Sequence, residues 1–270
     1  MLLGHPVAHS LSPRFQNAAI RAAGLPARYD AHDVPPRDLP EALDRVRAER
    51  GAGNVTVPHK SAVAARCDVL TPIGGEVGAV NTFWVDADGR LVGDNTDVGG
   101  FDAAARSLVD VGRPQTVALI GAGGSAAAVM AALARWPHAQ VRLWTRRAEQ
   151  AAALAGRSGG ATVAPSLDAA VAGATLIVNA TPLGLRDGDP PPVPMPCLPP
   201  TAAVFDLAYA PARTAWVRAA RRAGHPADDG LGMLVEQGAL AFTRWFDRAP
   251  DRAAMWRALD DVLALRQESG

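Results

Sequence analysis

The stretch Thr116-Val117-Ala118-Leu119-Ile120-Gly121-Ala122-Gly123-Gly124-Ser125 decides the fold of this chain. An apolar run ends at Ile120, glycines follow at once, and the alanine-rich segment from Ser125 to Arg135 has the composition of a helix. A buried strand, a glycine turn and a helix in this order form the first half of a βαβ unit. The sequence therefore predicts that a parallel sheet begins here.

The same alternation continues toward the C-terminus. Further strands are predicted at Val141–Trp144, Ala174–Asn179 and Ala203–Asp206, with a helix at Ala148–Ala155. The proline-dense segment from Asp187 to Pro200 is predicted to be a loop, because three consecutive prolines cannot lie inside a helix. This pattern indicates an α/β domain of the Rossmann type.

The first hundred residues form a second unit of the same α/β class, which is predicted to end near Thr96 to Gly100. Ser12 is expected to cap the first helix, with Pro13 at the first helical position. From Leu231 onward the chain is predicted to be helical again. The other predicted elements are helices at Ser12–Ala23, Leu39–Ala48 and after Lys60, strands at Tyr29–Ala31 and Asn54–Val57, a hairpin of Thr82–Val85 with Arg90–Val92, and a last amphipathic helix at Met255–Leu265.

Composition excludes several classes of function. The 270 residues carry 27 basic and 27 acidic side chains, so no net charge attracts nucleic acid or an anionic membrane surface. No apolar run approaches membrane-spanning length, and the N-terminal residues do not resemble a secretory signal. Cys67 and Cys197 fall in no metal-binding or redox spacing, and the six histidines form no cluster. We expect a cytoplasmic protein without a structural metal.

The glycine turn predicts a nucleotide site. Gly121-Ala122-Gly123-Gly124-Ser125 would let a pyrophosphate approach the backbone at the N-terminus of a helix. The next strand ends in Thr145-Arg146-Arg147, and no carboxylate follows until Glu149. Sites for NAD usually place an acidic residue there, whereas arginine binds the 2′-phosphate of NADP. The sequence therefore predicts NADP as the cofactor.

Lys60 is the only lysine of the chain, so the other 26 basic residues are arginines. Arginine can replace lysine on a solvated surface, but its guanidinium stays protonated at any working pH. A single retained lysine indicates a position where the ammonium must exchange a proton. Asp97, close to the predicted domain boundary, is a candidate partner that would hold this ammonium in place.

Seven motifs, in order along essentially the whole chain, resemble those of the shikimate dehydrogenase family. They are Gly4-His5-Pro6-Val7-Ala8-His9-Ser10-Leu11-Ser12-Pro13, Asn54-Val55-Thr56-Val57-Pro58-His59-Lys60, Gly78-Ala79-Val80-Asn81-Thr82, Gly93-Asp94-Asn95-Thr96-Asp97, Gly121–Ser125, Asn179-Ala180-Thr181 and Gly230-Leu231-Gly232-Met233-Leu234-Val235-Glu236-Gln237.

The resemblance implies a two-domain α/β enzyme that reduces 3-dehydroshikimate to shikimate with NADPH. It implies a substrate domain over residues 1–97, a Rossmann domain that binds NADP over 98–232, and C-terminal helices over 233–270 that return to the first domain. Lys60 and Asp97 would be the catalytic pair.

The resemblance also implies the binding residues. The substrate would contact Ser10, Ser12, Thr56, Asn81, Asp97, Tyr209 and Gln237. The cofactor would contact Gly121, Ala122, Gly123, Gly124, Ser125, Thr145, Arg146, Arg147, Thr181, Leu207, Gly230 and Met233. Residues two apart in an extended segment project to the same side, so both serine hydroxyls could reach one carboxylate.

The chain departs from the family pattern at two places. Thr145-Arg146-Arg147 stands where the family usually has Asn-Arg-Thr, and Pro182-Leu183-Gly184-Leu185 replaces a commonly small and polar stretch. Two alternatives stay open, a dehydrogenase that accepts quinate as well as shikimate, and a catalytically silent NADP-binding sensor. Partners are expected to be small molecules, with the protein a monomer or a homodimer.

Overall fold

The computed structural model describes residues 1–184 and 188–268. The chain divides into two compact units, one of Met1–Gly100 with Leu234–Asp260 and one of Phe101–Met233 with the residues from Asp261 onward. Each unit contains a six-stranded sheet together with helices. The predicted fold class, two α/β domains, is confirmed.

The first unit is built on a mixed sheet. Its strands are β1 (Leu2–Gly4), β2 (Ala31–Asp33), β3 (Ala52–Val55), β4 (Val69–Leu70), β5 (Thr82–Val85) and β6 (Leu91–Asp94). Its helices are α1 (Ser12–Ala22), α2 (Leu39–Ala48), α3 (Lys60–Ala64) and α4 (Pro72–Val77), and α5 (Asp97–Ala105) begins in it. The strand order is β2-β1-β3-β5-β6-β4, and β5 runs antiparallel to both of its neighbours. The predicted hairpin of β5 and β6 is confirmed.

The core of the first unit follows from helical spacing on α2. Leu39, Leu43 and Val46 lie one helical turn apart on one face, and all three are buried. They belong to the same apolar cluster as Leu3 and Phe83, which lie on strands of the sheet. Burial of each large side chain stabilises the fold by about 2 kcal/mol. The strands that carry the candidate site therefore rest on a packed layer.

The N-terminal predictions need two corrections. Ser12 does not cap α1, because it is already the first helical residue and Leu11 precedes it without a side-chain cap. The second strand is Ala31–Asp33 rather than Tyr29–Ala31. Tyr29 precedes the strand and is almost fully buried, and its hydroxyl is satisfied by donating to Asn54 Oδ1 at 2.8 Å.

The second unit is built on a parallel sheet. Its strands are β7 (Gln115–Ile120), β8 (Ala139–Trp144), β9 (Ala161–Val163), β10 (Leu176–Asn179), β11 (Ala203–Asp206) and β12 (Ala227–Asp229). Its helices are α6 (Gly124–Leu133), α7 (Ala148–Ser158), α8 (Leu167–Val171) and α9 (Ala215–Arg222). The order β12-β11-β10-β7-β8-β9 reverses direction between β7 and β10. This is the Rossmann arrangement, in which ligands bind beyond the carboxyl ends of the strands at the reversal.

The predicted loop from Asp187 to Pro200 begins at a residue that lies outside the described part of the chain. From residue 188 to 200, the regular structure consists of one short 3-10 turn at Met195–Cys197. Leu185, the last residue of the unusual stretch after Thr181, also lies outside the described residues.

The C-terminal helices are α10 (Leu231–Phe246), α11 (Arg252–Arg257) and α12 (Asp260–Glu268). The prediction of one helix over Met255–Leu265 is wrong, because α11 ends at Arg257 and α12 starts at Asp260. Met255, Leu259 and Val262 keep helical spacing across this break and are all buried, so hydrophobic periodicity could not reveal it. The residues from Asp261 onward group with the second unit.

A buried carboxylate organises the carboxyl ends of β10 and β11. Asp206 Oδ1 accepts hydrogen bonds from Asn179 Nδ2 at 2.8 Å and from the amide of Ala208 at 3.1 Å. Asp206 Oδ2 accepts from Thr214 Oγ1 at 2.8 Å. One fully buried side chain thus links the loop after β10 to the loop after β11 and to the start of α9.

Burial raises the pKa of Asp206 from 3.8 to about 6, although the bonds from Thr214, Asn179 and Ala208 favour the ionised form. The folded protein therefore keeps this proton up to about pH 6, whereas the unfolded chain releases it near pH 4. In that window the native state binds more protons, so the free energy of unfolding falls as pH rises from about 4 to about 6 and then levels.

We predict that Asp206→Asn removes this pH dependence. Asparagine resembles the protonated carboxyl in shape and stays neutral, so the variant should match the wild type near pH 4 and exceed its stability above pH 6 by at most about 3 kcal/mol. The measurement is the thermal unfolding midpoint of both proteins between pH 4 and about pH 7.5. Asp168→Asn, at an exposed position on α8, is the control. Parallel curves for Asp206→Asn and the wild type would contradict the prediction.

Candidate active site

Hydrogen bonds from the side chain of His59 and to the carbonyl of Lys60 fix the position of the lysine. His59, which is buried, lies with Nε2 2.6 Å from the carbonyl oxygen of Val34. The carbonyl oxygen of Lys60 itself accepts the amide of Val80 at 3.0 Å. Lys60 is the first residue of α3, and the backbone at this point is held by the segments that contain Val34 and Val80.

Lys60 and Asp97 form a short ion pair. Lys60 Nζ donates to Asp97 Oδ2 at 2.5 Å, and the two side chains are 15% and 7% exposed. At this exposure water screens the pair little, so the attraction between the charges is far stronger than on a surface. The predicted partnership of the lone lysine with Asp97 is thus present in the geometry.

Asn81 holds the other side of Asp97. Its Nδ2 donates to Asp97 Oδ1 at 2.8 Å and lies 3.0 Å from Gln237 Oε1. Its Oδ1 accepts the amide of Thr96 at 2.7 Å. One connected cluster of the first unit therefore brings together four residues that were predicted from the sequence, namely Lys60, Asn81, Asp97 and Gln237.

Sequence reasoning assigned no role to Asn95 and Thr96. Asn95 Oδ1 accepts the amide of Asp97 at 3.1 Å, and its Nδ2 donates to the carbonyl of Ala79 at 2.8 Å. These bonds set the direction in which Asp97 leaves the turn between β6 and α5. The available signal was their position, since polar residues directly before a catalytic carboxylate at a strand end are typical supports.

Ser10 and Ser12 are joined locally. Ser10 Oγ accepts the amide of Ser12 at 3.2 Å, Ser12 is buried and Ser10 is half-buried. Thr56, also half-buried, lies against Gly4, where an added Cβ would come within 2.3 Å of Thr56 Cγ2. The structure shows no direct hydrogen bond from these three side chains to Lys60 or Asp97 among the described residues.

In the second unit, Gly121 occupies a conformation that other residues rarely adopt. Its φ is +116°, and a Cβ there would lie 2.8 Å from the carbonyl oxygen of Ala180. The amide of Gly121 donates to the carbonyl of Trp144 at 2.8 Å, which ties the glycine turn to the end of β8. The first turn of α6 has no side-chain cap, and the space beside Gly123 is open. These features fit a bound pyrophosphate.

The end of β8 fits the phosphate of NADP. Arg146 and Arg147 are exposed, and neither forms an ion pair with a carboxylate of the described residues. Thr145 is half-buried beside them. Two guanidinium groups without competing carboxylates are suited to a phosphate dianion.

The remaining predicted cofactor residues lie on three segments of the second unit, namely the loop after β10, the loop after β11 and the start of α10. Thr181 Oγ1 donates to Asn179 Oδ1 at 2.6 Å, which connects this loop to Asp206. Gly230 packs directly on Leu207, since a Cβ at Gly230 would lie 2.2 Å from the carbonyl oxygen of Leu207. Met233 is buried and Tyr209 is half-buried.

Within residues 1–184 and 188–268, no helix is both long enough and apolar enough to cross a lipid bilayer. Among the same residues, no group of three or more histidine, cysteine, aspartate or glutamate side chains is arranged to hold a metal ion.

Family models match both ends of the chain. Residues 2–83 match the shikimate dehydrogenase substrate binding domain, and residues 230–259 match the shikimate 5′-dehydrogenase C-terminal domain.

Whole-chain comparisons agree with these matches. Shikimate dehydrogenase (NADP(+)) of Rubrobacter xylanophilus is 46% identical over 96% of this chain and 94% of its own length. The enzyme of the same name from Methylobacterium radiotolerans is 43% identical over 92% and 91%. The crystal structure of shikimate 5-dehydrogenase from Thermus thermophilus in complex with NADP(H) and shikimate superimposes with a TM-score of 0.86 at 38% identity, covering 97% of this chain and 98% of that one. With its motifs, its two sheets and these relatives in agreement, the chain belongs to the shikimate dehydrogenase family.

Proposed function

We propose that this protein catalyses the reversible NADPH-dependent reduction of 3-dehydroshikimate to shikimate, a step of aromatic amino acid and chorismate biosynthesis. The observation that carries the proposal is the ion pair of 2.5 Å between Lys60 and Asp97, which contains the only lysine of the chain. Membership of the family supplies the reaction that such a pair would serve.

The pair is arranged for proton transfer. NADPH, when bound, supplies the hydride that reaches the carbonyl carbon of the substrate. As negative charge develops on the ketone oxygen, the Lys60 ammonium donates a proton to it. Asp97 keeps the ammonium in place, and in the reverse direction Lys60 accepts the proton of the shikimate hydroxyl.

Neutral polar groups surround this pair and suit a small polyhydroxy acid. Asn81 and Gln237 contact each other beside Asp97, and we assign the ring hydroxyls to them together with Thr56 and Asp97. A buried polar group left unpaired by a wrong substrate would penalise its binding. The carboxylate of the substrate is assigned to Ser10, Ser12 and Tyr209.

On the cofactor side, each assignment rests on a feature of the second unit. The pyrophosphate is assigned to Gly121, Ala122, Gly123, Gly124 and Ser125, and the 2′-phosphate to Thr145, Arg146 and Arg147. The nicotinamide end is assigned to Thr181, Leu207, Gly230 and Met233. We expect a cytoplasmic location, because the reaction draws on dissolved substrate and NADPH. The protein is expected to be a monomer or a homodimer.

The first test is an assay of the purified protein with shikimate or quinate, each with NADP or NAD, following nicotinamide reduction. We expect activity with shikimate and NADP, and the Lys60→Met variant should be inactive. Equal activity with quinate would replace the proposed substrate by a broader class. An inactive protein that still binds NADP would instead support the sensor alternative.

Lys60→Arg should lose most of kcat, at least about 100-fold, because arginine keeps the charge but cannot exchange the proton. The KM for shikimate should change much less. Steady-state kinetics with saturating NADP measure both constants. Arg66→Lys is a matched exchange at an exposed position, where the guanidinium donates to the carbonyl of Ala62. A near-normal kcat for Lys60→Arg would refute the proton-transfer role.

The double variant Arg146→Met and Arg147→Met should raise the KM for NADP by at least about 100-fold while leaving that for NAD within a few-fold. Each charge-assisted bond to the 2′-phosphate contributes about 1.5–3 kcal/mol, and NAD lacks this phosphate. Arg157→Met, at an exposed position on α7, serves as the control. If both KM values rise together, the two arginines do not select the cofactor.

A further inference from the structure

We propose that Arg266, on the last helix, is a positioning residue that holds the Leu207–Tyr209 and Gly230–Met233 segments ready for their ligands. This inference rests on the proposed function, which places substrate and nicotinamide contacts on those two segments. No motif of the sequence includes Arg266, and the observation behind the inference is a buried set of hydrogen bonds within the second unit.

The guanidinium of Arg266 joins two separate loops. Its Nη2 lies 2.8 Å and 2.9 Å from the two carboxylate oxygens of Asp229, at the end of β12. The same nitrogen lies 2.8 Å from the carbonyl oxygen of Ala210, one residue after Tyr209. The side chain of Arg266 is 6% exposed and that of Asp229 is fully buried. This pair is therefore shielded from water at a point where both segments meet α12.

Asp229 extends the connection to both segments. Its Oδ1 accepts the amide of Leu231 at 3.1 Å, and its Oδ2 lies 3.4 Å from the amide of Ala210. The amide of Gly230 donates to the carbonyl of Ala208 at 2.9 Å. The two segments are thus bonded to each other through the main chain and through one carboxylate whose charge Arg266 balances.

The helix backbone takes part as well. The carbonyl oxygen of Arg266 accepts a bond from Arg213 Nη1 at 2.7 Å. The turn that follows Tyr209 runs from Ala210 to Arg213. The bond from Arg213 and the bond to Ala210 therefore connect α12 to both ends of this turn. These bonds explain why the chain from Asp261 onward groups with the second unit.

Arg266 and Asp229 depend on each other. Burial raises the pKa of Asp229, and the positive charge and hydrogen bonds of Arg266 oppose that rise, so the arginine favours the ionised carboxylate, which accepts the amides of both segments. Removing one partner of a buried pair leaves the other charge uncompensated. Loosened segments must then be ordered when ligands bind, which weakens binding. Lys60 and Asp97 lie in the first unit and keep their contacts, so the chemical step should be affected less.

The experiment compares the full-length variants Arg266→Met and Arg266→Lys with the wild type. Hydrogen exchange of peptides covering residues 206–214 and 229–233, fluorescence titration with NADPH, and steady-state kinetics are measured on each. For Arg266→Met we expect faster exchange in both segments and about a tenfold rise in the NADPH dissociation constant and in the KM for shikimate, with kcat within about threefold. Arg266→Lys should recover part of each loss. Arg222→Met, at an exposed position on α9, is the matched control and should behave as the wild type.

The proposal is overturned if folded Arg266→Met exchanges and binds NADPH as the wild type does, or if kcat falls while both KM values stay constant. Should Arg266→Met fail to fold, Arg213→Met removes the bond to the α12 backbone and leaves the pair with Asp229 intact. The same two segments must then exchange faster, and unchanged exchange overturns the proposal. A wild type inactive on shikimate refutes the proposed function alone, because exchange and NADPH titration need no turnover and still decide the role of Arg266.

Discussion

The candidate site depends on the contact of 2.5 Å between a lysine and an aspartate that have little access to water. Such a pair is stable only when the remaining hydrogen-bonding capacity of both groups is satisfied, since a buried charge without partners costs several kcal/mol. For Asp97, the first unit supplies neutral side-chain amides. Asn81 takes the second oxygen of Asp97, and Asn95 takes its amide. None of these supports carries a charge, so none of them competes for the proton.

In the second unit, buried carboxylates and not neutral amides organise the loops of the candidate site. Its sheet is entirely parallel, so the loops that leave the carboxyl ends of the strands must be organised without strand pairing. Two buried carboxylates, Asp206 and Asp229, collect the amides and hydroxyls of these loops. Asp206 has neutral donors only, whereas Asp229 is balanced by Arg266. The charged group that completes this arrangement comes from the far end of the chain.

Much of the fold could be predicted from the sequence, because the deciding signals are local. The strand–glycine–helix order at Ile120 and Gly121 needs no tertiary information, and the alternation of strands with helices after it predicts a parallel sheet. The break between α11 and α12 could not be predicted, since Met255, Leu259 and Val262 keep their spacing through it. The capping role expected for Ser12 was wrong for a related reason, as a helix boundary depends on backbone angles that the composition does not fix.

In the candidate site, too, some residues could be predicted from local sequence and others depend on tertiary contacts. Lys60 could be singled out by composition alone, and Asp97 through the motif that contains it. Asn95, Asp206 and Arg266 act through contacts with residues far away or on neighbouring turns, and a single sequence does not contain those distances. Thr96 lies inside the Gly93–Asp97 motif, yet the hydrogen bond from its amide to Asn81 Oδ1 exists only because the fold brings the start of β5 next to the start of α5.

The scarcity of lysine has a practical side. Reagents that couple dyes, tags or resins to ε-amino groups usually meet many equivalent surface sites on a protein. Here the sequence offers them one such group, and it is 15% exposed and engaged with a carboxylate. Conventional conjugation through lysine would therefore either leave this side chain untouched or modify the ion pair itself. The extent to which reagents modify this single amine therefore reports whether Lys60 is paired with Asp97.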